Sequence, residues 1–186
     1  MSHAPELIVS RWFNTEADLS LHSLRGRVVL LHAFQMLCPG CVSHGLPQAA
    51  RVRALFDDAE LAVVGMHSVF EHHAVMGPEA LAAFLHEYRV DYPVAVDTHS
   101  PGETLPQTMR AYGWRGTPSL TLIDRAGQVR LSHFGRLDDL QVGAAIGRLL
   151  AKSSATAGSM PSAGAPRHRA RAETECDAQG CPLPRD

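Results

Sequence analysis

The stretch Val28-Val29-Leu30-Leu31-His32-Ala33-Phe34 is apolar at consecutive positions, with one histidine inside it. A strand with only one wet face alternates apolar and polar residues; an unbroken run belongs to a strand covered on both faces. Strands of that kind need crossover helices to cover them, which points to an α/β chain with a layer of helices on each side of a sheet. The rest of the pattern agrees. Leu61 to Met66 is a second buried strand, Val94-Ala95-Val96 a short third one. Ser119–Ile123 and Val129–Phe134 flank Asp124-Arg125-Ala126-Gly127 as a hairpin. Helices are predicted from about Pro39 to Asp57 with a kink at Pro47, from Pro78 with Leu81, Phe84, Leu85 and Tyr88 on one face, from Leu105 to Tyr112, and from near Leu137 with the stripe Val142, Ile146, Leu149 and Leu150.

The chain has 186 residues and a formal net charge of −2, with no run of apolar residues long enough to span a bilayer. That balance offers no electrostatic footprint for nucleic acid or an anionic membrane, so neither is expected as a partner. Thirteen of the sixteen residues from Ala151 to Pro166 are Ala, Ser, Gly or Pro. Such a segment cannot bury a core, so residues 1–150 read as the globular domain and 151–186 as a flexible tail. The first ten residues show neither a basic start nor an apolar stretch, which gives a cytoplasmic expectation.

Cys38-Pro39-Gly40-Cys41 follows the first buried strand and opens a helix. The unpaired N–H groups and the dipole of a helix start favour a thiolate at the first cysteine. Two intervening residues let the second sulfur reach back and close a disulfide. Cys38 is therefore expected as the exposed nucleophile and Cys41 as the more buried resolving thiol, with exchange passing through a mixed disulfide on Cys38. The alternative, half of a structural zinc site, requires a second ligand pair, and the only other pair, Cys176 and Cys181, lies far along the chain.

Gly116-Thr117-Pro118-Ser119 leads into Leu120-Thr121-Leu122-Ile123-Asp124-Arg125-Ala126-Gly127. Taken with Gly26–Phe34, the Cys-Pro-Gly-Cys turn and Val63-Val64-Gly65, this order and spacing resembles the thioredoxin superfamily, closest to its TlpA/ResA-like (redoxin) thiol-disulfide oxidoreductases, over about residues 10–150. The resemblance implies a thioredoxin fold, with a central mixed β-sheet flanked by helices on both faces. It also implies that Pro118 is cis and packs on the active-site disulfide, and that the backbone at Thr117 binds substrate as an added strand.

Three positions depart from that pattern. Leu37 stands where tryptophan usually precedes the first cysteine. His32 occupies the place of a buried Asp or Asn, as a possible proton acceptor for Cys41 or as an ordinary half-buried strand residue. His44 falls near the family's helical glutamate, with one extra residue before Pro47.

The function expected is two-electron thiol-disulfide exchange with protein or small-molecule disulfides, as a reductant, with no organic cofactor and an upstream thiol reductant as partner. A peroxiredoxin-like thiol peroxidase using Cys38 is the rival enzyme. Against it, Gln35 stands where a Thr or Ser would bind peroxide, and Pro118 where an arginine would stand. His67, Glu71, His72 and His73 leave a metal-handling or redox-sensing module open, without a defined ligand set. Cys176 and Cys181 are either idle thiols or a shuttle pair exchanging with Cys38 and Cys41.

Overall fold

A computed structural model of the chain describes residues 2–154. Six strands form one mixed sheet: β1 (Val9–Phe13), β2 (Val28–Phe34), β3 (Leu61–His67), β4 (Val94–Asp97), β5 (Ser119–Ile123) and β6 (Val129–Phe134). Their spatial order is β1-β4-β3-β2-β5-β6. β2, β3 and β4 run parallel to one another, while β1 pairs antiparallel with β4, β5 with β2 and β6 with β5. Four α-helices accompany them: α1 (Leu46–Leu55), α2 (Pro78–Glu87), α3 (Gln107–Tyr112) and α4 (Asp139–Ser154). This is the thioredoxin-like fold expected.

All seven residues of β2 are buried, and the period of two sends them to opposite cores. Val28, Leu30 and Phe34 pack with Leu46, Ala49 and Val52 of α1, Leu81 and Leu85 of α2, and Val142, Ile146 and Leu149 of α4. Val29, Leu31 and Ala33 face the other way, onto Met109 of α3, Trp114, Leu21 and Leu24. Each fully buried Leu, Val or Phe contributes roughly 1.5–3 kcal/mol of transfer free energy, so both layers hold β2 in register.

Several boundaries differ from the sequence reading. β1 was not anticipated; it is an edge strand, mostly half-buried or exposed, so no apolar run marks it. The helix after the dithiol opens into a π turn over Cys41–Gly45, directly before α1. A π turn holds one residue more than an α turn, and this one absorbs the extra position before Pro47. The break predicted at Pro47 is thus realised just upstream, with the proline itself in the first turn of α1. α4 continues to Ser154, so Ala151–Ser154 are helical rather than linker. The tail cysteines Cys176 and Cys181 lie outside the described residues.

Candidate active site

The dithiol stands where β2 ends. Cys38 and Cys41 are paired as a disulfide, with their Cα atoms 5.2 Å apart. Cys41 is fully buried and Cys38 half-buried, the asymmetry expected of a resolving and an attacking sulfur. The Cys41 N–H donates to Cys38 Sγ at 3.2 Å, and the N–H groups of Cys41 and Val42 donate to the Cys38 carbonyl at 3.0 and 3.1 Å. A backbone donor aimed at the first sulfur at a helix start favours its thiolate.

The Thr117–Pro118 peptide is cis. Its loop closes over the dithiol turn: the Thr117 carbonyl oxygen lies 3.4 Å from Cys38 Sγ. A Cβ added at Gly40 would stand 3.3 Å from Pro118 Cδ, and one at Gly45 3.2 Å from Pro118 Cβ. Two glycines of the dithiol helix therefore admit the proline ring. Thr117 itself is half-buried. Thr117 and Pro118 are thus brought to the dithiol.

His32 is a correction to the half-buried reading: it is 2% exposed. Its ring lies under the π turn, where a Cβ at Gly45 would come 2.7 Å from His32 Cε1. Its Nε2 is buried with no hydrogen-bond partner. Burial, helped by the nearby His44, pushes its pKa down to about 4, so the ring is neutral at pH 7. The ring stacks on Phe34 at 5.5 Å, and Phe34 in turn meets His67 at 5.3 Å. His67 was grouped by sequence with His72 and His73, but it is the last residue of β3 and is buried. Burial lowers its pKa to about 4, and neither ring nitrogen has a partner. His72 and His73 are exposed, and His73 packs edge-on against His99 at 5.1 Å.

His44 and α1 tie the site to α4. His44 Nε2 lies 3.1 Å from the Leu137 carbonyl, and Gln48 Nε2 donates to that oxygen at 2.8 Å and to Asp139 Oδ1 at 2.7 Å.

Gln35 has a role that sequence reading gave only negatively. It is buried, and its carbonyl accepts the Cys38 N–H at 3.3 Å. Its side-chain oxygen accepts the Phe70 N–H at 3.3 Å, and its amide faces Glu71 Oε1 at 3.4 Å and Thr117 Oγ1 at 3.5 Å. Gln35 thus bridges the dithiol turn, the cis-proline loop and the loop after β3. The only sequence signal for it was a polar residue directly after a doubly buried strand.

A dithiol at a helix start, a cis-proline loop laid against it and a titratable group beneath are the parts of a thioredoxin-fold thiol-disulfide oxidoreductase. The sequence profile of the Redoxin family matches residues 3–143, and the chain belongs to that family. Among solved structures it is similar to a thioredoxin-like superfamily protein, at 55% identity and a TM-score of 0.78, over 80% of this chain and 96% of the other. It is also similar to a thiol-disulfide isomerase from Corynebacterium glutamicum, at 49% identity and a TM-score of 0.76, over 79% of this chain and 96% of that one. Protein DipZ of Mycobacterium tuberculosis is 31% identical over 138 residues, which is 73% of this chain but 19% of DipZ. The chain thus spans about a fifth of that relative's length.

Proposed function

We propose that the protein reduces disulfide-bonded proteins or small disulfides through Cys38 and Cys41. The observation that carries this is the unequal pair: Cys38 is accessible and receives the Cys41 N–H, while Cys41 is fully buried behind it. In the reduced protein the Cys38 thiolate attacks one sulfur of the substrate disulfide; the substrate S–S bond breaks, and the leaving sulfur takes a proton from solvent. Cys41 then loses its proton, attacks Cys38 Sγ and releases the second substrate thiol. The substrate gains two electrons and Cys38–Cys41 is oxidised. An upstream thiol reductant restores the dithiol.

Thr117 offers its backbone to the substrate chain as a neighbouring strand, and Pro118 shapes the approach. His32 lies under the dithiol helix with a buried nitrogen that has no partner, which makes it the candidate to accept the Cys41 proton as that thiol attacks; the burial that keeps the ring neutral at pH 7 also makes it a weak base there. The same neutrality supports the reductant direction. A fixed cation under the pair would stabilise the thiolate and make the disulfide more oxidising, and a ring titrating at about 4 supplies none. A reducing compartment such as the cytoplasm fits that direction.

Reduced protein divided between hydrogen peroxide and a model protein disulfide tests the reading, with loss of the Cys38 thiol followed by alkylation. Oxidation by the protein disulfide is expected to be about 100-fold faster, with a potential toward the reducing end of the roughly −270 to −120 mV range of such proteins. Faster oxidation by peroxide would transfer the protein to the thiol peroxidases.

A further inference from the structure

Gln35 is an amide in a place that asks for an apolar side chain. It comes directly after β2 and continues the side that carries Val29, Leu31 and Ala33, all packed in one apolar layer with Phe70. It is 1% exposed. A buried amide is costly unless its donors and its acceptor are met, and here each polar end faces a group of the right kind. Gln35 Oε1 accepts the Phe70 N–H at 3.3 Å. Nε2 carries two N–H groups and faces two acceptors, Glu71 Oε1 at 3.4 Å and Thr117 Oγ1 at 3.5 Å. A flipped amide would turn its donors toward the Phe70 N–H and its oxygen toward the Glu71 carboxylate, so the surroundings admit one orientation.

These contacts join the two halves of the reacting assembly. The Gln35 carbonyl accepts the Cys38 N–H at 3.3 Å, so its backbone holds the nucleophile. Its side chain faces Thr117, whose own carbonyl oxygen lies 3.4 Å from Cys38 Sγ. Glu71 is exposed, and no cation is paired with it among the described residues. Its carboxylate is left to the Gln35 amide. Resting on the exchange reading above, we propose that Gln35 is a positioning residue for the exchange step, with Glu71 orienting its amide, and that the pair sets where the Thr117 backbone presents a substrate disulfide to Cys38.

Both amide contacts are long for hydrogen bonds. They have room to shorten when a substrate chain is added along Thr117, and the charged acceptor then makes the stronger bond. Contacts that tighten only in the reacting complex speed the reaction instead of merely holding the resting state. Such placement matters for a substrate long enough to lie along Thr117. A protein disulfide is that long, whereas a small disulfide reaches Cys38 without the added strand. A displacement of about 1 Å at the reacting atoms costs up to about 100-fold in rate. Loosening the amide therefore slows the protein disulfide and spares the small one, while a residue that only held the fold would affect both alike.

The test compares the full chain with Gln35→Glu, the double variant Gln35→Glu, Glu71→Gln, and Glu71→Ala. Each is offered a model protein disulfide and an uncharged hydroxyethyl disulfide, with a small dithiol as reductant. Gln35→Glu sets a second carboxylate against Glu71. It is expected to lower kcat/KM for the protein disulfide about 30-fold and for the small disulfide by less than about threefold. Adding Glu71→Gln puts a donor opposite the new acceptor at the parent's net charge, and is expected to bring the protein disulfide back to within about threefold of the parent. Glu71→Ala removes the outer acceptor at an exposed position, and is expected to cost about fivefold on the protein disulfide alone. If Gln35→Glu does not fold, Glu71→Ala still decides. Equal losses on both disulfides, a double variant no faster than Gln35→Glu, or no loss in Glu71→Ala would overturn the proposal. The parent chain separates the two readings. If it does not reduce the protein disulfide, the exchange reading itself fails; if it does and the variants miss this pattern, only the Gln35 assignment fails.

Discussion

Asp97 and His32 are both buried polar side chains on strands of one sheet, and their surroundings are opposite. Asp97 ends β4 with its carboxylate fully engaged. It accepts the Thr108 N–H at 2.8 Å, the Met109 N–H at 2.9 Å and the Ser68 hydroxyl at 2.9 Å. The two N–H groups are donors that the first turn of α3 would otherwise leave unpaired, so the carboxylate is structural. His32 lies in the middle of β2 under the dithiol helix, with Nε2 unpartnered. His67, two rings away across Phe34, is left open at both nitrogens. A satisfied buried polar group holds a fold together; an open one costs stability and persists where its protonation is useful. The sheet places the first kind beneath α3 and the second beneath the disulfide.

The largest effect that could break this contrast is in the pH dependence of stability. His32 and His67 titrate at about 4 in the folded chain, against about 6.5 unfolded. Between those values the unfolded chain binds more protons, so their contribution is complete above pH 6.5 and is lost as pH falls toward 4. The loss is on the order of 3 kcal/mol for each ring. Asp97 acts in the opposite sense, because burial raises its pKa and its hydrogen bonds only partly offset that. Chemical denaturation at pH 7, 5.5 and 4.5 would show the decline, and the double variant His32→Leu, His67→Leu would flatten it. An unchanged slope in the double variant would remove the histidines from the account.

A smaller change follows at Asp97 itself. Asp97→Ala strands the N–H groups of Thr108 and Met109 and is expected to cost about 3 kcal/mol, read as a fall in thermal midpoint. The reduction potential of the dithiol would stay where it was. Smallest in stability is His32→Leu, which exchanges an unsatisfied ring for an apolar side chain and shifts stability by less than about 1.5 kcal/mol. Its effect falls on chemistry instead. Resolution of a mixed disulfide would slow about tenfold or more, the scale of a lost proton acceptor, and its pH profile would change shape. A purely structural His32 would leave that profile alone.

The sequence carried most of the fold because its central strands are unbroken apolar runs. β2 and β3 announce themselves in that way, the β5–β6 hairpin by the Asp124-Arg125-Ala126-Gly127 turn between its strands, and the helix-start dithiol follows from its position after β2. The edge strand β1 does not, since Ser10 and Arg11 face solvent and the half-buried Val9, Trp12 and Phe13 make no unbroken apolar run. His32 and His67 were readable in principle, because a residue inside or directly after a doubly buried run has nowhere exposed to go. Reading His32 as half-buried and grouping His67 with His72 and His73 ignores that constraint. Gln35 as a bridge, Asp97 as a helix cap and the π turn over Cys41–Gly45 depend on partners far away in sequence, and no local pattern encodes them.

The central claim is that exchange proceeds through a mixed disulfide on Cys38 which Cys41 resolves. Cys41→Ser, reduced and mixed with a model protein disulfide, would trap a stable one-to-one adduct joined at Cys38, whereas Cys38→Ser would trap none. An adduct formed through Cys41 in the Cys38→Ser protein, at a rate matching that of the Cys38 adduct, would contradict it.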